Sequence, residues 1–366
     1  MPLQPKPNSF PSALPTPELL ASSGPSPTLQ RLQTPDEELP AFDLGVSALE
    51  DKVQSRLPEC WGHRGASASY RTENTKASFI EACKQGADGI ETDIHITSDN
   101  VLVLFHDPKL DRTTNGKGRI REQPWHGILE HVRTKQSPVQ PIPLFTEVLE
   151  IMLYPGNERV KLNLDCKVDN DAEKLFGLVK DVIARYENWE ERLAPRIVLG
   201  LWHPKFLAPA AKHLPYLPRY AISFSPAEAR RFFWESVHGF SVYYESLASP
   251  DGQKFLAECK SHGKAVCAWT VNTKEGMREC IRWGLGSCIT DKPDIWREVK
   301  AEFQADYYRA VKPTLQTYLL PFVNKKAWWF DIASKTREER EYLEKEGGKF
   351  EGWEGVKVGL QIARAE

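Results

Sequence analysis

The chain has 366 residues, of which 41% are hydrophobic and 27% charged, with a formal net charge of −2. That balance gives no global basic field for nucleic acid or an anionic membrane, and no run of about 18 apolar residues exists to span a bilayer. Seven cysteines stand singly, with no CxxC pair, so zinc and a disulfide framework are disfavoured and a reducing, cytoplasmic setting is expected.

Ten of the 27 prolines fall in the first 40 positions, mixed with Ser, Thr and Leu. Such a stretch cannot form a regular helix or bury enough surface to offset its ordering entropy, so residues 1–45 are expected to be a disordered tail. From residue 58 the pattern alternates. "CWGHRG" (60–65) reads as a strand and "ENTKASFIEACKQG" (73–86) as a helix, with Asn74 as N-cap and Gly86 as stop. "DGIETDIHIT" (88–97) and "VLVLFHD" (101–107) read as strands joined by a Ser-Asp-Asn turn. A helix (143–153), a strand (160–167) and a helix (171–186) follow. Further strands are expected at 196–202, 219–225, 239–247, 265–271 and 286–291, each followed by a helix, the last from Pro293.

This makes eight strand–helix units, with one extra hairpin strand. Strict alternation over about 250 residues predicts a closed (β/α)8 TIM barrel over 58–300, where sites sit at the C-terminal strand ends. Ionisable residues gather there. Glu91 and Asp93 lie two apart on a strand and share a face. With Asp165 they offer three oxygen ligands, suited to Mg²⁺ or Ca²⁺; an arginine-paired or solvated cluster is the alternative. His63 and His106 end different strands and could serve as acid and base across the mouth. His95 shares the Asp93 face and reads as a supporting residue. Arg64 and Lys167 add positive charge for phosphate oxygens, or, for Lys167, a salt bridge to a neighbouring carboxylate. Together these residues fit cleavage of a phosphate ester.

"GHRG", then "ENTKASFIEACKQGADGIETDIHITSDNVLVLFHDPKLDRTTNGKG", "LNLDCK", "AWTVNT" and "ITDKP", spread over about 60–295, resemble the glycerophosphodiester phosphodiesterase family. The resemblance implies a TIM barrel with a small insertion after the second strand unit, at about 108–140. It implies His63 and His106 as the acid–base pair and Glu91 and Asp93 as metal ligands. The third ligand is Asp165 where most members have glutamate. Arg64, Lys167 and Trp269 are assigned to substrate binding.

"RIVLGLWHPKFL", "KLNLDCK" and "AWTVNT" are most similar to the fungal phosphatidylglycerol-specific phospholipase C branch, which implies phosphatidylglycerol as substrate and diacylglycerol and glycerol 3-phosphate as products. Residues 301–366 are expected to form a helical, amphipathic extension. Within it "TYLLPFVNKKAWWF" (317–330) has the composition of an interfacial segment for peripheral contact with membranes or lipid droplets; packing on the barrel is the alternative. Two competing readings remain: a phosphodiesterase for soluble diesters of the glycerophosphocholine type, and a silent lipid-binding barrel.

Overall fold

In the computed structural model the described residues are 57–68, 72–312 and 325–360, the first seven of the last segment by backbone alone. The proposed tail 1–45 and the first part of the interfacial stretch, 317–324, lie outside them.

Nine strands are described: β1 (Glu59–His63), β2 (Gly89–Ile96), β3 (Leu102–Leu104), β4 (Lys161–Cys166), β5 (Ile197–Leu201), β6 (Arg219–Ser223), β7 (Gly239–Tyr243), β8 (Ala265–Trp269) and β9 (Ser287–Thr290). Eight of them run parallel in the order β1-β9-β8-β7-β6-β5-β4-β2, and a β1–β2 pairing closes the ring. β3 folds back antiparallel on the end of β2, with Ile94 opposite Leu104. This is the expected (β/α)8 barrel with its extra hairpin strand.

The intervening helices are α1 (Lys76–Lys84), α2 (Phe145–Leu153), α3 (Ala172–Ile183), α4 (Leu207–His213), α5 (Pro226–Phe233), α6 (Pro250–Ser261), α7 (Lys274–Arg282) and α8 (Pro293–Ala305). Short polar side chains start several of them. Asp171, Ser225, Ser249 and Thr273 each accept from a backbone N–H of the first turn. The sequence expectation errs at α1, where the cap is Thr75, in a reciprocal capping box with Ser78, and not Asn74. It errs also at 239–247, whose last four residues turn helical after β7. All seven cysteines are buried and unpaired.

Two apolar clusters position the site. Trp61, Val198, Cys267 and Ile289, with Tyr220 and Trp269 packed against them, fill the barrel interior. Three of these side chains sit two residues before His63, Trp269 and Asp291, so they form the layer beneath the strand ends. Val103, Phe105, Leu110, Ile120, Leu129, Val132 and Ile142 make a separate small core for the insertion after β3.

A last helix, α9 (Lys325–Gly347), lies across the strand-end face. Its Glu346 pairs with Arg119 (3.1 Å) and Arg121 (3.3 Å) of the insertion. Lys335 donates to the Tyr243 hydroxyl (2.9 Å), and Arg340 pairs with Glu228 of α5 (2.8 Å). Beyond it Phe350, fully buried, packs on His203 and Phe232 with ring centroids 4.4 and 5.1 Å apart. No described helix is long and apolar enough to cross a membrane.

Phe350 anchors the end of this strap. Phe350→Ala is expected to cost ~3–5 kcal/mol of packing and to speed proteolytic cleavage within 325–347 while the barrel stays intact; unchanged protection would place the anchor elsewhere.

Candidate active site

The parallel register of β2 and β4 sets Asp93 beside Asp165 and Glu91 beside Asn163, all facing the barrel mouth. One carboxylate oxygen from each of Glu91, Asp93 and Asp165 lies within 4.8 Å of the others, and all three residues are buried. Lys167 answers this charge, with Nζ reaching Asp93 Oδ1 and lying 2.9 Å from Asp165 Oδ2. Burial and the two aspartates push the Glu91 carboxyl well up. Burial would raise Asp93 too, but Lys167, His106 and Arg64 outweigh it and hold Asp93 well below the carboxylate range. Lys167 is pushed up, because Asp165 and Asp93 outweigh its desolvation. Three hard oxygen donors thus stand together, which is the donor set that fits a divalent cation of the Mg²⁺ or Ca²⁺ type.

The loop after β1 is tied to this floor. Arg64 adopts φ +55°, and its backbone N–H donates to Glu91 Oε2 (2.8 Å). Its guanidinium lies 3.0 Å from Glu73 and 3.7 Å from Asp93. Gly65 follows at φ +84°, where an added Cβ would come within 2.5 Å of Ser78. Asn74, also left-handed (φ +49°), donates to Asp93 Oδ2 (2.6 Å) and accepts from the Thr92 hydroxyl (2.6 Å). The residue read from sequence as a helix cap therefore orients a carboxylate instead.

Each histidine of the expected pair is fixed through Nδ1 by its own carboxylate. His63 Nδ1 lies 2.7 Å from Asp291 Oδ1, and Asp291 is held by Ser67 (2.7 Å) and Asn272 (2.6 Å). His106 Nδ1 lies 2.7 Å from Asp107 Oδ1. Asp107 accepts from Arg112 Nε (2.6 Å), and Arg112 also grips Glu73, the partner of Arg64. Burial, then Lys167, pulls the His106 imidazolium below the usual histidine range against Asp93 and Asp107. His95 lies 3.4 Å from Asp169 and 3.4 Å from the His106 carbonyl, a supporting place.

These groups line one cavity of about 330 Å³ that holds His63, Arg64, Glu91, Asp93, His106, Asp165, Lys167 and Trp269, so all the sequence-selected residues converge. Trp269 belongs to an aromatic wall with Trp202 (5.6 Å between centroids), Phe224 (4.8 Å) and Tyr243 (5.4 Å). Trp202 also donates Nε1–H to Asp165 (2.9 Å). The roof is α9, through Glu339, Tyr342 and Leu343. Arg112, Trp202 and these roof residues escape the sequence reading. Arg112 stands in the quoted "DRTTNG" and Trp202 follows a strand, so both carried a signal; Glu339 sits in a charged run that carried none.

Asp107 and Asp291 are both held below the ordinary carboxylate range. Burial would raise each, but hydrogen bonds to His106 and Arg112, and to His63, prevail. Their folded values lie below the unfolded ones. Their stabilisation is therefore complete above about pH 4 and is lost as pH falls through the lowered values. The unfolding midpoint measured from pH 7 to 2 should fall less steeply in Asp291→Asn than in wild type; parallel profiles would contradict this.

Residues 63–295 match the Glycerophosphoryl diester phosphodiesterase family. The "Probable glycerophosphodiester phosphodiesterase 1" of Mycobacterium tuberculosis is 47% identical over 262 residues, covering 66% of this chain and 92% of that protein. The glycerophosphodiester phosphodiesterase of Caldanaerobacter subterraneus is 29% identical over 251 residues, covering 63% and 93%. Among solved structures, an Oleispira antarctica phosphodiesterase in complex with the product sn-glycerol-3-phosphate superposes with a TM-score of 0.57 at 23% identity, covering 68% of this chain and 98% of that one. The chain belongs to the glycerophosphoryl diester phosphodiesterase family and is, by class, a phosphoric diester hydrolase.

Proposed function

We propose that the chain hydrolyses a glycerophosphodiester to glycerol 3-phosphate and an alcohol, with His63 and His106 as the acid–base pair. The supporting observation is the paired fixing of both imidazoles: each spends Nδ1 on a carboxylate and keeps Nε2 for the cavity they share. His106, held toward its neutral form, is suited to take the proton from the substrate's 2-hydroxyl as it attacks phosphorus, and His63 to give one to the oxygen of the departing alcohol; water then opens the cyclic phosphate to glycerol 3-phosphate, the proton transfers running in reverse. Asp107 and Asp291 keep the two rings in their tautomers. Arg64 and Lys167 hold the phosphoryl oxygens as charge builds on them. A divalent cation on Glu91, Asp93 and Asp165 would add Lewis-acid stabilisation of that charge.

For the substrate, the sequence resemblance supports phosphatidylglycerol, cleaved to diacylglycerol and glycerol 3-phosphate, with 317–330 meeting the membrane from a peripheral, cytoplasmic position. One observation favours the second reading, soluble diesters. The roofed cavity has room for a head group, and any acyl chains would lie outside it beneath or beyond α9.

His63→Ala and His106→Ala should each lower kcat by roughly 10²–10⁴-fold with unchanged circular dichroism; full turnover in either would remove the acid–base assignment. Exhaustive chelation should abolish activity, and Mg²⁺ or Ca²⁺ should restore it; persistence after chelation would end the metal role. A panel of phospholipids and deacylated diesters, with mass spectrometry of products, decides the substrate. Glycerol 3-phosphate from phosphatidylglycerol supports the lipid reading, and release from deacylated diesters alone supports the soluble one. No hydrolysis with lipid still bound would leave a silent barrel.

A further inference from the structure

The roof helix α9 lies beyond residue 295, where the family match ends. Its inward charged residues are nearly all satisfied. Lys335 is held by Tyr243, Arg340 by Glu228, and Glu346 by Arg119 and Arg121. Glu339 differs: among the described residues no hydrogen bond or ion pair is seen to it, yet it borders the catalytic cavity. It also borders an adjoining recess of about 510 Å³, walled by Phe224, Tyr243 and Trp269 and edged by three charged residues, Glu245, Glu338 and Lys335.

An unpaired carboxylate facing aromatic rings is a place for a positive charge. Ring faces attract a desolvated ammonium, and a carboxylate beside them adds Coulomb attraction. The wall already holds one such group, because Lys335 Nζ sits 5.0 Å from the centroid of Tyr243. Burial pushes the Glu339 carboxyl up to about 7, Lys167 opposing and Asp165 assisting. The phosphate-binding groups, Arg64 and Lys167, border the catalytic cavity, whereas the recess is lined by neither. A diester held by its phosphate on those cations can therefore extend one substituent along the aromatic wall toward α9.

We propose that Glu339 is a specificity-determining residue that reads a cationic alcohol, one carrying an amino or quaternary ammonium group, on the glycerophosphodiester substrate. The assignment deepens the hydrolase reading above and rests on it. It places the discrimination between diesters on α9, outside the residues that match the family, while the barrel strands supply the chemistry common to all of them.

The test compares sn-glycero-3-phosphocholine with sn-glycero-3-phosphoglycerol, which share phosphate and glycerol and differ in the charge of the alcohol. Full-length protein with divalent cation is assayed for kcat and KM on each. Wild type is expected to favour the choline diester in kcat/KM. Glu339→Gln should lower that preference about tenfold, mainly through KM for the choline diester, and Glu339→Lys should lower it further. A wild type without preference, equal losses on both diesters, or a ratio unmoved in both variants would overturn the proposal. A wild type that cleaves neither diester nor any phospholipid would instead defeat the hydrolase reading itself.

Discussion

Three buried carboxylates against one lysine and one arginine set the terms for this structure. Glu91, Asp93 and Asp165 stand within 4.8 Å of one another at the barrel mouth, where water is scarce and charge is expensive to concentrate. Only a frame that cannot relax will hold them so. The closed barrel provides it, since the β2–β4 register places Asp93 and Asp165 side by side and a one-residue slip would turn both away. Below them lies the close-packed apolar layer of Trp61, Val198, Cys267 and Ile289. The loop above contributes backbone dipoles and an amide, from Arg64 and Asn74, at the cost of two left-handed residues.

The same economy links the two histidines. Glu73 touches both Arg64 and Arg112, and Arg112 fixes Asp107, which fixes His106. A displacement of the first strand's loop would therefore reach the far histidine through four side chains. His63 depends on a different set, with Asn272 and Ser67 holding Asp291. The proposed acid and base are thus braced through different carboxylates, and both braces draw on the loop after β1, which carries Arg64 and Ser67.

Much of this was legible in the sequence, for a physical reason. Short strand-like apolar runs alternating strictly with helical ones specify a parallel barrel, and His, Asp and Glu gathered at the strand ends mark its mouth. What failed to show was whatever depends on conformation within a loop. Asn74 stands where a cap residue would stand, and only its left-handed backbone reveals that it serves Asp93 while Thr75 caps the helix. Strand lengths also shortened: the run at 101–107 keeps only three residues in β3, because His106 and Asp107 turn away to meet the site and Arg112. Glu339 was hidden for another reason. A charged helix written TREEREYLEKE looks alike on every face until its partner surface is known.

The strap α9 is fastened to the insertion at its C-terminal end and to the β7 side near its middle. Chemistry and access are therefore encoded in different stretches of the polypeptide. Substitutions along one helix can reshape the entrance while leaving every carboxylate and imidazole of the floor in place. The extension works, in effect, as an aperture set over the reaction chamber by a separate piece of chain.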